Sequence, residues 1–172
     1  RKAVLLCPSG LVFRCPGVNL RPFQQHSQRQ SEIIMSSIAD NIGSVTRRIQ
    51  KATLQAGRAP GSVHLLAVSK TRPPEDLREA FAAGQRAFGE NYLQEALEKM
   101  EALADLEGVD WHFIGPIQSN KTRSIAESFS WVHSVDRLKI ARRLSEQRPD
   151  NLPPLNVCLQ INIDDEDSKS GC

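Results

Sequence analysis

Residues 63–91 read VHLLAVSKTRPPEDLREAFAAGQRAFGEN and contain one complete strand–helix–strand pattern. The apolar run at residues 63–68 has the length of a buried strand and shows no helical spacing. Two prolines and two acidic residues then open a segment that Gly84 closes, which is the composition of a helix start and stop. A second short apolar run at residues 86–88 follows and predicts the next strand.

The same alternation continues toward the C-terminus. Predicted strands begin near residues 63, 86, 111, 131 and 155, so that one unit occupies 20 to 25 residues. Strands that alternate with helices at this interval are typical of parallel βαβ units. An amphipathic helix after Met35 precedes the first of them, with Ser36 or Ser37 as its cap and Gly57 at its end.

Two architectures are built from such units. The doubly wound nucleotide-binding fold usually has a glycine-rich turn after its first strand, but residues 68–73 (VSKTRP) contain no glycine. The (β/α)8 barrel, of about 250 residues, carries its working residues at the C-terminal ends of its strands. We therefore predict an α/β fold, a (β/α)8 TIM barrel truncated after about strand five, with open edges at its first and fifth strands.

The first 34 residues differ in composition from the rest. They hold five basic residues and one acidic residue, against 17 basic and 19 acidic residues in the remainder. They contain three prolines and no sustained period of 3.6 or 2. We expect residues 1–34 to be a non-core extension, disordered or spurious and dispensable for folding, ahead of a barrel portion at residues 35–172; a transit peptide is the alternative.

The composition narrows the class of protein. The chain of 172 residues has a net charge of +2 and is 40% hydrophobic, which are ordinary values for a soluble globular protein. No run reaches the ~18 apolar residues of a membrane-spanning helix, and the balanced charge does not favour nucleic acid or anionic lipid. The four cysteines lack metal-site spacing. We expect reduced thiols, no metal and a cytoplasmic location.

Two residues near strand ends could carry chemistry. Lys70 follows the first predicted strand, and a lysine at the mouth of a barrel can form a Schiff base with an aldehyde, a chemistry that would also suit a Schiff-base aldolase. The alternative is an ordinary solvated lysine. His112 alternates with Trp111 and Phe113 and so faces the other side of its strand, where it could contact a ring or a phosphate, or be a satisfied core histidine.

Five stretches occur in a recognisable order. They are AVSKT (67–71), FGENYLQE (88–95), WHFIGPIQSNK (111–121), HSVDR (133–137) and LQINIDDEDSKSG (159–171). Together they resemble the pyridoxal phosphate homeostasis proteins of the YggS/PROSC type. The resemblance covers most of residues 35–172, and the combination of motifs is highly specific.

The resemblance implies a fold-type-III barrel, like the N-terminal domain of alanine racemase, with pyridoxal 5′-phosphate (PLP) on Lys70. Asn91, His112 and Asn162 fall on matching motif positions near the cofactor face. Members of the family are cytosolic PLP carriers or regulators of vitamin B6 balance, with PLP-dependent apoenzymes as possible partners. We expect a monomeric full-length protein that is not an enzyme, with its phosphate-binding loops in strands beyond Cys172.

The alternative is a PLP-dependent racemase or decarboxylase on the same barrel. Racemisation needs acid/base groups on both faces of the substrate's α-carbon. The chain has a single tyrosine, Tyr92, which favours the carrier.

Overall fold

The computed structural model describes residues 4–6, 37–163 and 170–172. One sheet contains all the described strands, in the same order as they occur along the chain. The strands are β1 (Val4–Leu6), β2 (His64–Val68), β3 (Ala87–Glu90), β4 (Asp110–Phe113), β5 (Trp131–Val135) and β6 (Asn156–Leu159). The strands from β2 to β6 are parallel, and β1 is antiparallel to β2.

A helix follows each parallel strand from β2 to β5, and another precedes β2. The helices are α1 (Ile38–Gln55), α2 (Pro74–Ala82), α3 (Leu93–Ala102), α4 (Thr122–Ser128) and α5 (Leu138–Gln147), with a short 3-10 helix at Ser119–Lys121. Because the spatial order of the strands never reverses, the sheet is part of a barrel wall and not a doubly wound sheet. The predicted α/β barrel portion is therefore confirmed.

The helix ends follow local sequence only in part. Ser37 caps α1 in a capping box with Asp40, and Gly57 follows the helix with φ of 65°, as predicted. Helices α3 and α5 begin without a side-chain cap. The N-cap positions are Tyr92 and Arg137, and neither side chain makes a capping hydrogen bond.

The hydrophobic core lies between the sheet and the helices. Phe113, Val132 and Val135 of β4 and β5 pack with apolar residues of α4 and α5. A second cluster joins Phe88 of β3 to Leu77 of α2 and to neighbouring apolar residues. Since these side chains occupy the outer face of the sheet, residues that alternate with them, such as His112, lie on the inner face of the barrel wall.

The N-terminal segment contributes one strand to the sheet. Residues 4–6 pair with residues 64–66 of β2, so the edge expected to be open at the first barrel strand has a neighbour. The other residues of the 1–34 segment lie outside the described part of the chain, and its division from residues 35–172 stays a prediction. None of the helices described in the structure is long and apolar enough to cross a membrane.

Candidate functional site

Lys70 lies in a tight turn directly after β2. The turn is closed by a hydrogen bond from the Arg72 amide to the Ser69 carbonyl oxygen at 3.0 Å. The Lys70 side chain is exposed, and its Nζ has no hydrogen-bond or ion-pair partner among residues 4–6, 37–163 and 170–172. Thr71 has φ of 61°, a left-handed conformation that is unusual for a β-branched residue.

A buried polar network adjoins this turn. The Ser69 hydroxyl donates to Glu90 Oε1 at 2.6 Å, and Glu90 at the end of β3 is fully buried. Lys99 of α3 is 3% exposed, and its Nζ lies 2.7 Å from Glu90 Oε1 and 2.6 Å from Glu95 Oε1. The same ammonium donates to the Ser69 carbonyl oxygen at 2.7 Å. A buried charge is stable only when it is paired in this way.

Glu95 is the member of the network nearest to solvent. Its Oε1 accepts the Thr71 amide as well as Lys99. Burial works to raise the pKa of Glu95, but the hydrogen bonds from Lys99 and from the Thr71 amide outweigh it and hold that pKa below its ordinary value. Glu95 therefore stays ionised and links helix α3 to the turn that carries Lys70.

Asn91 follows β3 at the same edge of the sheet as Lys70. Its Oδ1 is buried and has no hydrogen-bond partner within the described residues. A Cβ atom added to Gly115, after β4, would lie 2.1 Å from the Asn91 carbonyl oxygen. Only glycine permits this close approach, which brings the chain after β4 against the chain after β3.

His112 lies within β4 on the inner face of the sheet and is 3% exposed. Its Nε2 is 3.1 Å from Asp110 Oδ2 and its Nδ1 is 2.9 Å from His133 Nε2. When the carboxylate accepts the Nε2–H, His112 Nδ1 accepts the Nε2–H of His133. The His112 ring also stacks on Trp131, with centroids 5.6 Å apart. Both ring nitrogens of His112 are therefore engaged by protein groups, and its contact with a cofactor stays a prediction.

The second histidine of this pair has an altered pKa. Burial, together with the neighbouring His112, lowers the pKa of His133 to about 4, although Asp110 opposes the shift. The hydrogen bond from His112 holds the pKa of Asp110 below its ordinary value. His133 is therefore neutral beside an ionised carboxylate at neutral pH.

Asn162 lies beyond β6, at the other end of the row of strands. Its backbone N–H donates to the Cys172 carbonyl oxygen at 3.2 Å, and the residue lines a groove together with Gly115, Ser134 and Asp136. The four residues predicted for the site therefore lie on or after four different strands. Lys70 and Asn91 follow neighbouring strands, His112 lies inside β4, and Asn162 is three strands from Asn91.

Sequence reasoning missed the residues that surround this site. Lys99 lies on the apolar stripe of α3, between Ala96 and Leu103, and a cation in such a stripe is a signal of a buried ion pair. His133 alternates with Val132 in the same way as His112 alternates with Phe113. The pairing of the two histidines depends on the register of β4 against β5, which no single strand reveals.

Comparison with known proteins agrees with this fold. The profile of the family described as "Alanine racemase, N-terminal domain" matches residues 19–172. The chain is 70% identical over 138 residues to a pyridoxal phosphate homeostasis protein of Pseudomonas aeruginosa, covering 80% of this chain and 60% of that protein. It is 55% identical over 139 residues to the protein of that name in Escherichia coli, with 80% and 59% covered.

A solved structure of PipY from Synechococcus elongatus, with PLP bound, is also similar to the chain. The identity is 41% and the TM-score is 0.63, over 74% of this chain and 55% of PipY. The chain thus spans about 60% of the length of the curated relatives that it matches. Because the family profile covers most of the sequence and the parallel strands agree with it, the chain belongs to the alanine racemase N-terminal domain family.

Proposed function

We propose that this chain is part of a protein that binds PLP, attached to Lys70 as a Schiff base, and that serves in intracellular PLP homeostasis. The names of the curated relatives support the homeostasis role, and the PipY structure supports the cofactor. The observation that carries the proposal is the position of Lys70, whose amine is exposed directly after β2 while the turn around it is held by buried groups.

The residues at this edge fit the cofactor. PLP supplies an aldehyde that condenses with a primary amine, and its phosphate needs backbone N–H groups. Lys70 offers an amine that no described residue engages. Asn91 offers a buried oxygen that lacks a donor in the described structure, so a donor group of a ligand at this edge would satisfy it.

The other two proposed cofactor-side residues have different roles. Both ring nitrogens of His112 are engaged by protein groups, so we assign it to shaping the inner face of the barrel beside Trp131. Asn162 lines the groove after β6, where its side chain can face a ligand that extends across the strand ends. Both assignments stay proposals.

We further propose that the protein is a cytoplasmic carrier or regulator and not an enzyme, acting on PLP-dependent apoenzymes as a monomer. The relatives are named for homeostasis and not for a reaction. Tyr92 is the chain's one tyrosine, and its side chain is 56% exposed. An exposed phenol is poorly placed to serve as one of the two opposed acid/base groups that a racemase needs.

Borohydride reduction of the purified, PLP-loaded protein tests the proposal. Peptide mapping should place the pyridoxyl group on Lys70, and Lys70→Ala should abolish the visible absorbance of bound PLP. Lys121→Ala, which removes another exposed lysine, serves as the control and should leave both unchanged. A label mainly on another lysine would overturn the assignment of Lys70. If the PLP-loaded protein catalyses exchange of an amino acid's α-proton, the protein is an enzyme and the carrier proposal is wrong.

A further inference from the structure

We propose that Glu95 and Lys99 are positioning residues for Lys70, which fix the two peptide groups on either side of it so that its amine is held at the edge of the sheet. The inference rests on the proposed function of Lys70. Neither residue follows a strand end, and neither belongs to the predicted site.

The peptide group before Lys70 is held through Ser69. The backbone N–H of Ser69 donates to the Gly89 carbonyl oxygen at 3.0 Å, which continues the pairing of β2 with β3. Its hydroxyl donates to Glu90 Oε1 at 2.6 Å, and its carbonyl oxygen accepts Lys99 Nζ at 2.7 Å. All three polar groups of Ser69 are therefore engaged immediately before Lys70.

The peptide group after Lys70 is held through Thr71. The backbone N–H of Thr71 donates to Glu95 Oε1, and the Thr71 hydroxyl donates to the Lys70 carbonyl oxygen at 2.6 Å. The left-handed φ of 61° at Thr71 is costly for a β-branched residue and persists only when its surroundings enforce it. The carboxylate of Glu95 supplies that constraint, because it accepts the Thr71 amide in this conformation.

Lys99 joins the two halves of this arrangement. An ammonium has three N–H donors, and Lys99 uses them on the Ser69 carbonyl oxygen, Glu90 Oε1 and Glu95 Oε1. A pair that served stability alone would need only the two charges, and such a pair can often be replaced by apolar residues. Here Lys99 also bonds the Ser69 carbonyl oxygen and Glu95 also bonds the Thr71 amide, so the charged groups hold the backbone on both sides of Lys70. The Lys70 side chain itself remains exposed.

Fixing the backbone matters for an exposed lysine. The lysine side chain has four rotatable bonds and a large rotamer entropy, so a mobile turn would add further positions for its amine. Holding both flanking peptide groups removes that additional freedom. We therefore expect that loss of the acceptor oxygen at Glu95 speeds the release of PLP from Lys70 without unfolding the protein, because Lys99 keeps its partner Glu90.

The test compares Glu95→Ala, Glu95→Gln and Glu98→Ala in the PLP-loaded protein. Glu95→Ala should release PLP about tenfold faster, the factor that corresponds to one hydrogen bond to a charged acceptor. Glu95→Gln keeps an acceptor oxygen for Thr71 and should retain most of the wild-type behaviour. Glu98→Ala removes the same charge from an exposed residue of α3 that bonds only Gln94 among the described contacts, and should match wild type.

A second measurement needs no cofactor. Trypsin can cut after Lys70, whereas Arg72 precedes Pro73 and is protected. In the PLP-free protein, Glu95→Ala should speed cleavage after Lys70 by about tenfold with no general rise at other sites. Glu95→Gln should restore slow cleavage.

The two proposals fail in different ways. If the wild-type protein carries no borohydride-fixed label on Lys70, the proposed function is wrong. If the label is present and Glu95→Ala releases PLP and is cut at wild-type rates, the positioning role is overturned while the function of Lys70 stands. A general rise in cleavage throughout Glu95→Ala would also overturn it, since the network would then be structural alone.

Discussion

Lys99 Nζ donates to the backbone carbonyl oxygen of Ser69 at 2.7 Å, across 30 positions of sequence. The contact joins a helix on the outside of the sheet to the end of the strand that precedes Lys70. Because Lys99 also holds the fully buried Glu90, one ammonium serves both the backbone at the site and a charge in the interior. Stability and the geometry of the Lys70 turn are therefore linked through this residue.

Removal of Lys99 should be strongly destabilising. Lys99→Met leaves Glu90 as an uncompensated buried carboxylate, and we expect a loss of about 3–5 kcal/mol in the free energy of unfolding. Adding Glu90→Gln removes that charge while keeping an oxygen for the Ser69 hydroxyl, and should recover about 1–3 kcal/mol. Urea denaturation of the purified single and double variants measures both changes.

The matched control is the pair between Arg78 and Asp105, which is largely exposed. Solvent screens such a pair, so Arg78→Met should lower the urea midpoint far less than Lys99→Met. If the changes in unfolding free energy caused by Lys99→Met and Glu90→Gln were strictly additive in the double variant, Lys99 and Glu90 would not form the buried ion pair described.

The stability of the protein should fall between about pH 6.5 and pH 4 because of His133. Its pKa is lowered from 6.5 to about 4 in the folded protein. In this range the unfolded chain binds a proton at His133 that the folded protein does not, so acid favours unfolding. The contribution is fully present above the unfolded pKa and is lost as pH falls toward the folded one.

Urea midpoints measured from about pH 7 down to about pH 4.5 test this slope. His133→Gln should flatten it, whereas His64→Gln, at an exposed residue of β2, should leave the slope as in wild type. The lowered pKa values of Glu95 and Asp110 act at lower pH, since their contributions are lost only below their ordinary values of 4.5 and 3.8. Equal slopes in wild type and His133→Gln would show that His133 is not the group responsible.

The fold was predictable because its signals are local. Strands expected near residues 63, 86, 111, 131 and 155 begin at residues 64, 87, 110, 131 and 156. Apolar runs, helix-opening prolines and closing glycines act over a few residues, so they can be recognised without knowledge of the tertiary structure. The position of Lys70 after β2 follows from the same signals.

The surroundings of Lys70 were not predictable from such signals. The burial of Lys99 depends on Glu90, nine positions away in a different element, and on the packing of α3 against β3. The contact between His112 and His133 depends on the register of two strands, and the φ of Thr71 depends on a carboxylate in α3. Each of these contacts joins residues that lie in different elements, and the sequence does not show that the elements come together.

The same Gly→Ala substitution should have opposite effects at two positions. At Gly115, the added Cβ would lie 2.1 Å from the Asn91 carbonyl oxygen, so the backbone after β3 or β4 must move. We expect a loss of about 1–3 kcal/mol of unfolding free energy or more, as for overpacking. At Gly43 within α1, the nearest atom lies 3.4 Å away at the flexible end of Arg47, and alanine should add about 0.5–1 kcal/mol through helix propensity.

Denaturant unfolding of both variants measures the two signs, and PLP retention adds a second comparison. Because Gly115→Ala displaces the chain beside Asn91, it should also release PLP faster than wild type, whereas Gly43→Ala lies on α1, away from the strand ends, and should not. A Gly115→Ala protein with wild-type stability would mean that the chains after β3 and β4 are not in the close contact described. If Gly115→Ala is destabilised yet keeps PLP as firmly as wild type, the contact between Gly115 and Asn91 does not contribute to PLP binding. The retention of PLP would then depend on the Lys70 turn.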